Sequence, residues 1–161
     1  MAASVHDVAA AILKREHPLD TFKLQKLAYY CEAWHLVWEG EPLFSEPIEA
    51  WAGGPVVPEL YAAHRGRYSI DAWPQGSPSK LTESQRDTVH VVVAAYGKLT
   101  GRQLSQLTHG EEPWRKARGG LAPGARGSQV IELDDLLDYY SGLDQSQNAT
   151  PVEAMAVAVG D

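Results

Sequence analysis

Apolar positions in this chain recur at three- and four-residue spacing, with Gly and Pro between the periodic stretches. That pattern predicts helices joined by turns. Val5, Val8, Ala9, Ile12 and Leu13 form one face of a first helix over 4–16. Ser4, with Asp7 three residues on, can cap it, and Pro18 ends it. A second helix opens near Asp20 or Thr21, either of which can accept a backbone N–H. Leu24, Leu27, Ala28, Cys31, Trp34, His35 and Trp38 then form a stripe that must be buried, and Gly40 suits the C-terminal cap. At about 1.5 Å per residue this helix spans roughly 30 Å, the width of the whole domain, so it is predicted to be central.

Glu41 to Pro47 is rich in turn residues, with Leu43 and Phe44 as its apolar anchor. Ile48 to Ala52 alternates weakly, which fits a short strand or an extended segment, and the pattern does not separate the two. Gly53-Gly54 permits a backbone shape that side chains would block, and Pro55 moves Gly54 out of the helical region. Pro58 opens a third helix carrying Leu60, Tyr61 and His64, which Gly66 ends. Residues 74–80 read as a linker or exposed loop. Thr82 and Gln85 make a capping box for a helix that buries Val89, Val92, Val93, Tyr96 and Leu99 and ends near Gly101. A short helix over 102–107 points Leu104 and Leu107 inward. Thr108 with Glu111 offers another capping box before a turn through Pro113 and Trp114, and 119–129 reads as a mobile loop. Asp134 or Asp135 opens the last helix, with Leu136, Leu137 and Tyr140 inside and Gly142 beyond its end. The predicted fold class is mainly α: a single compact helical domain over 1–142 with a few short strands or extended segments. A flexible tail over 143–161 follows.

Composition narrows the function classes. With 161 residues, 44% hydrophobic and 22% charged, the chain can bury a proper core and is not of the disordered type. A net charge of −7 argues against sequence-independent DNA binding over the whole surface and suits a basic partner. One cysteine, Cys31, allows no internal disulfide. No secretory signal is read at the N-terminus, and the apolar runs are too short for a bilayer, so a cytoplasmic location is expected.

Six pieces of the sequence carry a family resemblance. They are KLQKLAYY (23–30), the tryptophan at 34, PLF (42–44), IEAW (48–51), GPVVPELY (54–61) and THGEEPW (108–114). In this order they resemble the Panacea domain, a family of SocA-like antitoxins and phage-associated GepA-type proteins, over roughly 5–142. The resemblance implies a small helix-rich prokaryotic or phage domain that serves as the antitoxin of a toxin–antitoxin system. It implies neutralisation by direct contact with a cognate toxin encoded next to it, and in some members delivery of that toxin to a ClpXP-type protease.

The residues themselves offer little catalytic chemistry. GxxxxGK[ST], GxGxxG and GxSxG are absent from the sequence, and no cofactor is expected. Cys31 and His35 lie one helical turn apart, but a buried core cysteine beside a tolerated histidine is the simpler reading. His64, His109, Glu111 and Glu112 are the best metal-ligand candidates, yet CxxC, HxxxH and HExxH are absent, and no metal site is expected. Lys23, Lys26 and Tyr29 sit beside the buried stripe of the second helix and read as exposed. Trp51, Pro55, Tyr61, His109 and Trp114 read first as fold anchors. As function, Trp114 beside His109 can wall a partner groove, and the His109 ring N–H can hold a carbonyl. These eight residues form the predicted partner-binding set. Arg65, Arg67, Arg115, Lys116 and Arg118 make a modest basic group. Glu132, Asp134, Asp135, Asp138 and Asp144 make an acidic one, which is a solvated face or a means of steering a basic partner. Two other functions stay open: a small hydrolase reversing a toxin-made modification with His109 and Glu111, and a DNA-binding autoregulator using a patch over 115–126. The composition makes nucleic acid the less favoured partner.

Overall fold

The computed structural model describes residues 1–147. Among them are seven helices: α1 (Val5–Arg15), α2 (Thr21–Glu39), α3 (Pro58–His64), α4 (Glu83–Tyr96), α5 (Gly101–His109), α6 (Glu112–Arg118) and α7 (Leu133–Gln147). Four short strands accompany them: β1 (Leu19–Asp20), β2 (Glu49–Trp51), β3 (Gly54–Val56) and β4 (Ser69–Ile70). The fold is mainly α, as the periodicity predicts.

Helix α2 is the axis. The Asp20 side chain accepts from the Lys23 amide at its start, and Gly40 closes it at φ +75°. Helices α1, α4, α5 and α7 and strand β3 all pack against it. It is therefore buried on every side: each residue from Leu24 to Leu36 is removed from solvent. This corrects the expectation for Lys26 and Tyr29, which are 0% exposed. A helix enclosed by five neighbours has no face on which to leave them in water.

The segment 48–52 resolves as a strand. β2 pairs antiparallel with β3, placing Glu49 opposite Val56 and Trp51 opposite Gly54. Gly54 stands at φ +129°, and a Cβ there would come within 2.5 Å of Lys26 Cε, so both the backbone shape and the close approach require glycine. β1 pairs antiparallel with β4, tying the start of α2 to the segment after α3.

Helix ends follow local chemistry, with corrections. Ser4 caps α1, but by accepting from His6 N, while Asp7 accepts from the Ser77 amide across the fold. The Thr82–Gln85 capping box is present. Gly101 is not a stop. It is the first residue of α5, opened by a second capping box from Thr100 and Gln103. Because α5 runs on to His109, Thr108 lies inside it and donates its hydroxyl to Ser105 O, so no box forms with Glu111. Leu107 is only half-buried. Helix α7 starts at Leu133 and contains Gly142, and Leu137 is 37% exposed. The tail expected over 143–161 falls partly in this helix, and its residues from 148 onward lie outside the described residues.

The loop 119–129 is held in place. Arg118 Nη2 donates to the carbonyls of Ala122 and Ala125. The Ala50 amide donates to Gln129 O, and the Ile131 amide to Ile48 O.

Candidate functional site

Polar side chains of α2 reach out of the helix and hold other segments by their backbones. The Gln25 side chain accepts from the Val57 amide at 2.8 Å and donates to Val57 O at 3.3 Å, and its Nε2 lies 2.9 Å from His64 Nε2. Glu32 accepts from the amides of Leu43 (2.6 Å) and Phe44 (3.4 Å). From the opposite side, α5 and α6 clamp the β2–β3 hairpin. Ser105 Oγ donates to Gly53 O, Trp114 Nε1 to Trp51 O and Arg118 Nη1 to Ala50 O. The hairpin is thereby fixed over the N-terminal half of α2.

Between them lies a groove of about 200 Å³, lined by Phe22, Gln25, Lys26, Trp51, Gly53, Val56, Tyr61 and His64 among others. Trp51 and Tyr61 meet edge to face, with centroids 5.0 Å apart. Phe22 and Tyr61 are 40% and 37% exposed, so the rim is open and aromatic. At its floor the Lys26 ammonium lies 4.0 Å from the Phe22 ring centroid and has no hydrogen-bond partner. Burial pulls its pKa down to about 7, against a smaller opposing pull from Asp20. The Asp20 carboxylate is already engaged by the Lys23 amide at 2.7 Å.

Behind the groove the core holds an ionisable cluster. Glu111 Oε1 accepts from the hydroxyls of Tyr30 and Tyr140, both at 2.7 Å, and the hydroxyls of Tyr29 and Tyr140 are 3.1 Å apart. Tyr30 stacks on Tyr96 at 4.2 Å, and Trp34 Nε1 donates to the Tyr96 hydroxyl. Burial pushes the Glu111 carboxyl up to about 7, with the two tyrosine donors opposing it. Burial likewise raises Glu32 to about 7, opposed by its two amide donors. The Tyr29, Tyr30 and Tyr140 phenols are pushed well above their ordinary value by burial and then by the charge of Glu111.

Of the predicted set, the groove brings together Lys26, Trp51 and Tyr61. Lys23 is committed elsewhere, with its Nζ on Glu16 Oε2 and Gly97 O. Tyr29 belongs to the core cluster. Pro55 is buried in β3 opposite Ala50. His109 and Trp114 stack at 4.0 Å behind the hairpin. The His109 Nε2 is buried without a partner, and burial lowers that ring's pKa. Phe22 and Gln25 carry no expectation from the sequence, and His64 reads there as a metal-ligand candidate. The available signal was Gln25-Lys26 itself, two polar residues between Leu24 and Leu27 in a helix predicted to be central.

The chemistry weighed as an alternative is not assembled. Glu111 faces the tyrosines while His109 faces Trp114, and neither lines the groove. Cys31 is fully buried, its thiol is pushed up by burial, and His35 Nδ1 pairs with Thr88 Oγ1 instead. Within the basic segment, Arg118 is spent on three backbone carbonyls.

A buried scaffold thus fixes a groove with an open aromatic rim. Residues 24–115 match the Antitoxin SocA-like, Panacea domain, and the chain belongs to that family. It is 29% identical to Antitoxin SocA of Caulobacter vibrioides (strain NA1000 / CB15N), over 67% of this chain and 63% of that protein. The chain thus spans somewhat less than two thirds of the length of this curated relative. No solved structure matches it. The matched segment contains the groove from Gln25 to His64 and the clamp from Ser105 to Trp114. Among the described residues, no helix is long and apolar enough to cross a membrane.

Proposed function

We propose that this chain is the antitoxin of a two-gene toxin–antitoxin pair and neutralises its toxin by direct binding at the Phe22–Trp51–Tyr61 groove. The observation that carries this reading is the groove itself. Partly exposed aromatics line a groove over a buried, unpaired amino group, and the support from Gln25, Glu32, Ser105 and Trp114 lies within the segment that matches the family. Aromatic anchors in a desolvated centre supply most of the energy of protein interfaces. An inhibitory contact of the ordinary size buries about 1,600 Å² in total, so the groove is its centre and the surfaces around it complete it. A net charge of −7 suits a basic toxin. The reading is one of binding, and the separate partners of His109 and Glu111 support it.

The test is co-expression of the chain with each gene adjacent to its own, scoring growth and co-purification together. Growth rescue with a stable complex that Tyr61→Ala or Trp51→Ala weakens supports the reading. Rescue without a complex replaces occlusion by protease delivery or enzymatic reversal. No toxic neighbour refutes it.

A further inference from the structure

Among the described residues, two buried side-chain polar atoms lack a hydrogen-bond partner: Lys26 Nζ and His109 Nε2. Lys26 is the more costly of the two. An ammonium offers three donors, and a buried charge is tolerated when it is paired. The fold could have filled this place with an apolar chain. Instead it keeps the lysine, sets its amino group against the Phe22 ring, and places the residue in the wall of the groove with no exposed surface of its own. The acid whose charge acts on it, Asp20, is held by the helix cap. The volume of about 200 Å³ falls below the roughly 300–1,000 Å³ typical of small-molecule sites and suits a single side chain.

We propose that the groove seats a carboxylate side chain of the protein partner, an aspartate or glutamate that enters between Phe22, Trp51 and Tyr61 and pairs with the Lys26 ammonium. This rests on the antitoxin reading above and names the group recognised. The desolvation of Lys26 is already incurred in the free chain, and the arriving carboxylate reaches the amino group by displacing the half-exposed Phe22 ring that lies against it. With −7 on the whole chain, the long-range field repels acidic surfaces. The partner that fits therefore presents a lone acid within an otherwise basic or apolar patch.

The experiment measures, by calorimetry, the affinity of the wild-type chain, Lys26→Met and Lys26→Gln for the purified product of the adjacent gene. The partner's Asp and Glu residues are replaced one at a time by Asn and Gln. Both chain variants remove an unpaired buried amino group, so their thermal midpoints are expected to match or exceed wild type, which keeps folding out of the comparison. The expected result is a loss of affinity on the order of thirtyfold or more with Lys26→Met. One partner acid should give a matching loss, with little further loss when the two changes are combined. Unchanged affinity with Lys26→Met, or fully additive losses at every acid, overturns the proposal. If the wild-type chain binds no adjacent gene product, the antitoxin reading fails separately. The groove is then judged on the free chain with N-acetyl-aspartate amide, N-acetyl-glutamate amide and inorganic phosphate at millimolar concentrations, following the Trp51 indole N–H by NMR. A shift caused by the two carboxylates and abolished by Lys26→Met supports carboxylate recognition. A response to phosphate alone, or none, overturns it.

Discussion

Replacing Glu111 by Gln should stabilise this protein at high pH and leave it nearly unchanged at low pH. Glu111 is buried, and its Oε1 accepts from Tyr30 and Tyr140, a role that an amide oxygen can also fill. Burial raises the carboxyl from 4.5 to about 7 in the folded chain. Below about pH 4.5 the folded and unfolded states are both protonated, and the group is neutral with respect to folding. Between about 4.5 and 7 the unfolded chain releases its proton first, so stability falls as pH rises, and above about 7 the loss is complete. At about 1.4 kcal/mol per tenfold, that difference amounts to roughly 3 kcal/mol. Glu111→Gln removes the ionisation and keeps the shape of the protonated acid. Urea unfolding at pH 5 and pH 8 should show the two proteins within about 1 kcal/mol at pH 5. At pH 8 the variant should be ahead by up to roughly 3 kcal/mol, or about 6–12 °C in midpoint. Glu32 and Lys26 also titrate near this range, but both proteins carry them, so the difference isolates Glu111. A variant weaker at pH 8 would show that the tyrosines require the ionised carboxylate, and an equal shift at both pH values would show that its ionisation does not act on folding; either result would refute the reasoning.

Further outcomes follow from single contacts. Gly54→Ala places a Cβ against Lys26 Cε at φ +129°, and denaturant unfolding should show a loss of about 1–3 kcal/mol. Arg118→Ala frees the carbonyls of Ala122 and Ala125, so limited proteolysis should cut within 119–129 in the variant well before wild type. Cys31, fully buried with its thiol pushed up, should resist a thiol reagent in the native protein and react only in denaturant; fast native labelling would contradict the burial of α2.

Local chemistry made much of the fold legible. Asp20 and Gly40 bound the central helix, Thr82 with Gln85 opens α4, and Pro58 opens α3. Each of these signals acts within four residues of itself. The same Thr-x-x-Gln signature at Thr100–Gln103 is hidden by Gly101, which reads as a stop although glycine also fits the first turn of a helix. Thr108–Glu111 shows the opposite failure. The spacing is right, but the Glu111 carboxylate is drawn into the core by hydroxyls from Tyr30 and Tyr140, residues far from it in the chain. The site was half legible for the same reason. Trp51 and Tyr61 announce themselves as aromatics at a turn, whereas the role of Lys26 depends on five elements closing around α2.

The anchors that hold the groove have one property in common: each grips backbone, and of them Gln25 also meets a side chain, that of His64. Gln25 holds Val57 by its amide and carbonyl, Glu32 holds two amides, and Ser105, Trp114 and Arg118 hold carbonyls of the hairpin. Peptide groups are the same in every residue but proline. The rim of the groove can therefore exchange its side chains over evolutionary time without releasing the segments that carry them. Under the proposed binding role, a scaffold built this way lets the groove change its target while the architecture beneath it is inherited unchanged.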